Sequence, residues 1–516
     1  MNETNKKIWV SDLIGDDYKK WRNENIILDC ATGSGKTTFC VEVLGKYAAQ
    51  CGKKILYLCN RTELHDEVLA RIKAVGLNNV FEVMTYQYLQ RLLMGYGQLQ
   101  KYDYILADEC HYFFTDACFN DFTDVSYRYV TEQKDSVVIY MSATAKVFFN
   151  TLEDAGIVQK KNIYRAGKDY SYVDRLYWYK RDDLAGIIDD IIAKEDNSKI
   201  VVFCASGKRM LDMRGLYGDK ADYYCSKYNK NKELIKLYGW DRSTPKRIIE
   251  NGTFQKRILF TTSALDNGID LKDRNIKHIF CELTDGDIML QALGRKRSLD
   301  KNDTCTFYLL QYGKNVLQGI INGKKSQVKK IELFRNDREE FIRQYIQNTN
   351  SLDHRIFKFQ FDKNGEPIIE LNDCRYRKYK EDIAEFEKMT GSYREYVEKY
   401  VMPELTDRSA EINLYRDKLN VFREYLEGLV GKRLFTEDKE KLKGMFETIG
   451  VKIRYKKSIY TFNGALDDNY GASFPYRFYS VKPDGKAYRD TRRKLEDGSE
   501  NQNCGKLYWM LEPERE

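Results

Sequence analysis

The chain has 516 residues, of which 42% are hydrophobic and 32% charged, and its formal net charge is +8. That length exceeds a single hydrophobic core, so two or three domains are expected, with ample apolar surface to bury in each. No apolar run approaches a membrane span, and the polar stretch Met1 to Asp17 lacks the basic-then-apolar order of a signal peptide, so a soluble cytoplasmic protein that stays off the membrane is expected. The basic excess lies before about Lys330 and suits a polyanionic partner. Twelve cysteines show no Cys-x-x-Cys pair and no Cys/His cluster of metal-ligand spacing. Cys59, Cys204, Cys225 and Cys281 sit in or beside apolar, strand-like runs, and read as buried free thiols in a reducing compartment.

The first element is an apolar strand, Ile26 to Leu28, and directly after it comes Cys30-Ala31-Thr32-Gly33-Ser34-Gly35-Lys36-Thr37-Thr38, then a helix-compatible stretch from Phe39 to Tyr47. Strand, glycine-rich loop and helix in that order make a phosphate cradle. Glycines let amide N–H groups of Thr32 to Thr38 converge, Lys36 reaches a terminal phosphate, and the Thr37 hydroxyl can ligate Mg²⁺. Cys30 stands where the pattern usually has Gly. Alone, the loop is compatible with kinases, GTPases, transporters and motor ATPases.

Further short apolar runs follow at Ile55 to Leu58, Val80 to Met84, Tyr104 to Ala107 and Val137 to Met141, separated by helix-like segments. Continuous apolar strands between helices predict a parallel sheet covered on both faces. The same signature resumes after about Tyr172, with Lys199 to Phe203, Tyr223-Tyr224, Ile258 to Phe260, Ile276 to Phe280 and Thr306 to Leu310. The fold class expected is therefore α/β, two tandem P-loop-type domains with parallel sheets, at residues 1–165 and 166–315. An α+β carboxy-terminal accessory region fills 316–516. Within it, Phe357 to Phe361 and Pro367 to Leu371 form a hairpin turned at Asn364-Gly365. The stripe Ile412, Tyr415, Leu419, Phe422, Leu426 and Leu429 reads as the inner face of a helical bundle. From Val451 to Lys494, basic residues including Lys452, Arg454, Arg477, Arg492 and Arg493 mingle with Tyr455, Tyr460, Phe462, Tyr476 and Phe478. Such a segment fits either a nucleic-acid face or a small accessory domain with a solvated basic surface.

The strand Tyr104 to Ala107 runs into Asp108-Glu109-Cys110-His111, which sets two carboxylates at a strand's carboxyl end, where parallel sheets bind ligands. Asp108 can hold Mg²⁺ through water, while Glu109 can orient and deprotonate an attacking water. With this pair added to the loop, the chain resembles the superfamily 2 helicases of the DEAD/DEAH-like kind, whose folds are two tandem RecA-like domains. Asp-Glu-Cys-His is a variant of their second motif. The resemblance extends through Arg61-Thr62, Thr85, Ser142-Ala143-Thr144, Val201 to Ser206, Thr261 to Asp270 and Gln291-Ala292-Leu293-Gly294-Arg295.

What the resemblance implies is an ATP-driven, nucleic-acid-stimulated hydrolase with ATP and Mg²⁺ as cofactors. Nucleic-acid contacts fall on Arg61, Thr62, Thr85, Ser206 and Thr262, and nucleotide contacts from the second domain on Gly268 and Asp270. His111, Ser142 and Thr144 couple hydrolysis to movement, and Gln291 with the finger Arg295 completes the catalytic set. The family's second arginine commonly stands three residues after the first, which here is Ser298, whereas this chain has Arg297. The Gly-Arg-x-Arg form is similar to some viral and phage replication helicases. Neither Asp-Glu-Ala-Asp nor His-Arg-Ile-Gly-Arg is present, so DNA is favoured over RNA, although some viral RNA helicases also carry Asp-Glu-Cys-His. A translocase that never separates strands, or an origin- or partner-binding module in a replication, restriction or defence assembly, stands as the alternative.

Overall fold

The computed structural model describes residues 8–515 except 32, 96, 98, 168, 196, 226–232, 235, 237–247, 249, 267–269, 346, 362–364, 366, 413, 450, 452–457 and 471–473. Asn364 of the expected hairpin turn, and Lys452, Arg454 and Tyr455 of the basic segment, lie outside the described residues. The chain divides into two compact units. One comprises Met1–Arg181 and Ile188–Glu411, the other Asp182–Ile187 and Ile412–Glu516.

The first unit holds two parallel sheets. Strands β1 (Asn25–Asp29), β2 (Ile55–Cys59), β3 (Phe81–Thr85), β4 (Tyr104–Asp108), β5 (Val137–Ser142) and β6 (Ile163–Arg165) pair in the order β3-β2-β4-β5-β1-β6. Their continuous apolar runs follow from burial on both faces. In β4, Tyr104 and Leu106 enter one core with Ile26 and Leu28 of β1, while Ile105 and Ala107 enter the opposite core with Ile27. Because every strand runs the same way, the segments after β1, β2, β3, β4 and β5 emerge at one edge. That edge collects the phosphate loop, Arg61, Thr85, Glu109 and Thr144.

The second sheet contains β7 (Val173–Tyr179), β8 (Lys199–Phe203), β9 (Ala221–Tyr224), β10 (Ile258–Thr261), β11 (Ile276–Cys281) and β12 (Cys305–Leu310), in the order β7-β12-β11-β8-β10-β9. β6 and β7 are among the strands that escaped the sequence reading. β6 is three residues long, and β7 carries Asp174 and Arg175, which break the apolar run that marked its neighbours.

After β12 the chain forms helices Lys314–Asn336 and Arg338–Tyr345, then the hairpin of β13 (Phe357–Phe361) and β14 (Pro367–Leu371), then helix Asp373–Met389. It returns through β15 (Ser409–Glu411), which pairs in parallel with β7 as an edge strand of the second sheet. Trp178 explains the attachment. Its buried indole Nε1 donates to Glu398 at 2.9 Å and to Ser409 Oγ at 3.0 Å, which satisfies a donor that would otherwise be orphaned.

The second unit is a helical and β assembly of its own. Helices Leu414–Glu427, Thr436–Thr448 and Ile459–Tyr470 accompany a sheet of β16 (Arg433–Leu434), β17 (Tyr476–Tyr479) and β18 (Trp509–Pro513), antiparallel in the order β16-β18-β17. Phe422 and Leu426 of the predicted stripe are fully buried against Phe446, Phe462 and Leu511, with Leu419 and Leu429 packed beside them. Among the basic residues of the last segment, Arg477 pairs with Asp467 and Glu514, and Arg492 pairs with the buried Asp490, which also takes Arg433. These guanidinium groups are neutralised within the fold.

Candidate active site at the paired sheet edges

The phosphate loop curls at Gly33 (φ 76°) and Gly35 (φ 88°), in the left-handed region that glycine enters without steric cost. The curl is braced by the short helix Val10–Ile14: the Val10 amide donates to the Ser34 carbonyl at 3.0 Å, and the Trp9 ring lies where a Cβ on Gly35 would come within 3.1 Å of it. Lys36 is buried, and its amine donates to the carbonyls of Cys30 (2.7 Å) and Ala31 (3.1 Å). The Ser34 hydroxyl is buried and has no hydrogen-bond partner among the described residues. Thr37 and Thr38 open the helical segment after the loop. Thr32 lies outside the described residues.

Asp108 ends β4, buried, with its Oδ2 accepting from the Tyr57 hydroxyl at 2.6 Å and its Oδ1 from the Glu109 amide at 3.0 Å. Burial, then the neighbouring Glu109 charge, pushes the Asp108 carboxyl up to about 6. Glu109 has φ 48°, a left-handed conformation that costs a non-glycine residue roughly 1–2 kcal/mol and turns its side chain out of the strand. Burial alone would raise its carboxyl, but the His111 hydrogen bond and the charges of His111, Lys36 and Arg295 hold it down at about 2. Glu109 is therefore an ionised base beside a more reluctant acid.

From Glu109 a hydrogen-bond chain leads away. Ser142 Oγ donates to Glu109 Oε2 at 3.1 Å and lies 2.9 Å from His111 Nδ1, while the Thr144 amide donates to Ser142 Oγ at 3.1 Å. Thr144 Oγ1 in turn accepts from Gln291 Nε2 at 2.7 Å. His111, Ser142, Thr144 and Gln291 thus meet as one network, and Gln291 comes from the second sheet's domain.

Gln291 lies on helix Gly286–Gly294, whose N-cap Asp285 accepts from the Asp287 and Ile288 amides at 3.0 and 3.2 Å. The helix runs to Gly294, Arg295 caps it with helical backbone, and Lys296 then makes a parallel bridge with Leu271. The Leu271 amide donates to the Arg295 carbonyl and the Arg297 amide to the Leu271 carbonyl, at 2.7 and 2.9 Å. Lys296 turns inward to the buried Asp303 at 2.7 Å while Arg295 and Arg297 turn to the other side. There both meet Asp270, at 3.8 and 2.9 Å. This answers the spacing departure. A second arginine three positions on requires a continuing helix, whereas here Ser298 is exposed with its hydroxyl on the Asp300 carbonyl. Gly268 lies outside the described residues.

The remaining expected residues sit at strand ends. Arg61 forms an ion pair with Asp116 at 2.9 Å, the exposed Thr62 opens a helix, and Thr85 and Ser206 each cap a helix by accepting the Tyr88 and Arg209 amides. Thr262 follows β10, partly buried. Tyr57 was missed because a tyrosine inside an apolar strand reads as core. Only the fold puts its hydroxyl against Asp108.

Residues 7–147 match the family described as "Type III restriction enzyme, res subunit", and residues 180–297 match "Helicase conserved C-terminal domain". Curated protein sequences give no match. Among solved structures, the fragment of a putative HsdR subunit of a type I restriction enzyme from Vibrio vulnificus YJ016 is similar at TM-score 0.40 and 16% identity. That match covers 58% of this chain and 62% of that one, less than two thirds of its length. S. cerevisiae Dbp5 bound to RNA and ADP BeF3 is similar at TM-score 0.40 and 16% identity, over 60% of this chain and 83% of that one. With the two family matches falling in order on the two parallel-sheet domains, the chain belongs to superfamily 2 of the helicases.

Proposed function

We propose that this protein is an ATP-driven motor on nucleic acid, DNA in preference to RNA, with nucleotide and Mg²⁺ held between the two α/β domains. The observation that carries this reading is the hydrogen-bond chain from Glu109 through Ser142 and Thr144 to Gln291, which ties the hydrolytic base to the opposite domain. The residues present fit the cofactors: a buried, unpartnered Ser34 hydroxyl in a glycine-curled loop, an amine on the loop's own carbonyls, and a carboxylate pair facing it. Thr32 to Thr38 would cradle the phosphates, Thr37 and Asp108 would hold the cation, and Gly268 and Asp270 would meet the nucleotide from the other side.

When bound, ATP with Mg²⁺ would supply the transferable phosphoryl group and the anionic charge that the cations on either side of the cleft meet. Glu109, kept ionised, accepts the proton of a water. Arg295 and Arg297, paired through Asp270, present two cations to charge that develops across the cleft, a contribution worth ~10³–10⁵ in rate in related phosphoryl transfers. Lys36 exchanges two carbonyls for anionic oxygens. Along the sheet edges, Arg61 exchanges Asp116 for a backbone phosphate, joined by Thr62, Thr85, Ser206 and Thr262. Such contacts are blind to base sequence.

The test is ATP turnover measured alone and with single-stranded DNA, duplex DNA and RNA of one sequence. Stimulation by DNA above RNA, abolished by Lys36→Ala, is expected. No stimulation by any of the three overturns the motor, and equal response to RNA overturns the preference. A second reading, translocation along duplex DNA without strand separation inside a restriction or defence assembly, is favoured by the match of residues 7–147 to a restriction-enzyme subunit. Displacement of a triplex-forming oligonucleotide with no opening of a forked duplex would select it.

A further inference from the structure

Helix Asp373–Met389 passes through three hydrophobic cores in succession. Cys374, near its start, is fully buried in the core of the first sheet's domain; Tyr379 joins the small core of the β13–β14 hairpin; Phe386 and Met389, near its end, are buried in the core of the second sheet's domain. The stretch from Cys374 to Met389 holds no glycine or proline and spans roughly 20 Å, so it is stiff over the whole passage.

Its first end is fastened to the first domain. Asn372 caps the helix and donates to the Asp121 carbonyl at 3.1 Å and to Thr123 Oγ1 at 3.2 Å. Beside it, Lys358 of β13 makes a salt bridge to Asp124 of the first domain at 3.1 Å, with the two side chains 3% and 4% exposed. One turn along the helix, the buried Lys378 pairs with Asp382 at 2.7 Å and with Asp285 Oδ2. Asp285 is the N-cap of helix Gly286–Gly294, and its other oxygen holds the first amides of that helix. Lys378 therefore joins a rod fixed on the first domain to the start of the helix that carries Gln291 and leads into Arg295.

We propose that helix Asp373–Met389 is an interdomain strut and that Lys378, through Asp285, is a positioning residue that sets Gln291 against Thr144 and Arg295 toward Glu109. This deepens the hydrolytic reading and rests on it. The strut makes the facing of the two domains a property of the chain itself, so the cleft geometry is set before any ligand arrives.

The experiment uses the full chain with Lys378→Met, Lys378→Arg, Asp285→Asn and the Lys378→Met/Asp285→Asn pair. Asparagine keeps the capping oxygen and replaces the oxygen that accepts from Lys378 with an amide nitrogen, and the pair removes the buried carboxylate charge that Lys378→Met alone would leave without its lysine at Asp285. Lys378→Met is expected to lower kcat about tenfold to a hundredfold with KM for ATP within about twofold, because misplacement, not binding, is lost. Lys378→Arg should recover most of it. The double variant should regain thermal stability while kcat stays low; recovery of both together overturns the proposal, as does a normal kcat in Lys378→Met. Amide hydrogen exchange judges the strut independently of turnover: residues 286–294 should exchange about tenfold faster in Lys378→Met, with β4 and β5 unchanged. If the unaltered chain shows no ATP turnover, the hydrolytic reading falls, and unchanged exchange at 286–294 then overturns the strut as well.

Discussion

Gln291 Nε2 donates to Thr144 Oγ1 at 2.7 Å, and that bond is the first of three that lead from the second domain through Ser142 to Glu109. Residues that act as one network lose their effect together. Thr144→Val and Gln291→Met are each expected to lower kcat about tenfold with nucleotide affinity nearly unchanged, and the double variant should be no worse than the poorer single one. Steady-state turnover with a fluorescent-nucleotide titration gives the cycle. Fully additive losses would show that the two side chains work through separate partners.

Arg297 shares Asp270 with Arg295, and Ser298 faces solvent. Arg297→Ala should therefore depress turnover by at least about 10²-fold while sparing ATP binding. Ser298→Ala should stay within about twofold of the unaltered protein. The informative variant is Arg297→Ala/Ser298→Arg, which moves the charge to the family's usual spacing. It should not recover activity, since the helix ends at Arg295 and position 298 is exposed, with its side chain at the Asp300 carbonyl. Recovery would mean that a helical path is accessible there.

Both parallel sheets were legible because strands buried on two faces must be continuously apolar, and the site was legible where its residues lie next to a strand end. Lys36, Asp108, Glu109, Ser142 and Thr144 carry their signal locally. Tyr57, Lys378 and Asp285 do not. Each gains its meaning from a partner more than fifty residues away, and each resembles ordinary core or surface until the fold is known. β15 illustrates the same limit, since three residues cannot declare which sheet they will join. The spacing of Arg295 and Arg297 was visible, but its reason, the end of the helix at Arg295 and the bridge of Lys296 to Leu271, was not.

Tyr57 stands beside Asp108 and Thr37, the two residues proposed to hold the cation. Its hydroxyl donates to Asp108 Oδ2 at 2.6 Å, with Thr37 beside the same phenol. Tyr57→Phe keeps the volume and removes that hydrogen bond. Outer partners of this kind typically change metal affinity 10–100-fold, so the Mg²⁺ concentration for half-maximal turnover should rise about tenfold, with kcat at saturating Mg²⁺ within about threefold. An unchanged Mg²⁺ requirement would show that Asp108 is oriented well enough by the Glu109 amide alone.

Glu385 predicts a pH dependence of stability. Burial first, then the Asp285 charge and that of Asp287, raise its carboxyl from 4.5 to about 7, against the pull of Lys378 and the hydrogen bond from Tyr396 at 3.1 Å. The folded chain thus keeps a proton that the unfolded chain releases above pH 4.5. Where the folded state binds more protons, stability falls as pH rises. The contribution from Glu385 is complete below pH 4.5 and declines up to about pH 7, with a slope of at most about 1.4 kcal/mol per pH unit, the limit for one proton. Glu385→Gln, which holds the neutral shape at every pH, should flatten that part of the profile and gain most in relative stability near pH 7. Urea unfolding at pH 5, 6 and 7 measures it, and parallel profiles for the two proteins would mean that Glu385 ionises in the folded state as it does in water.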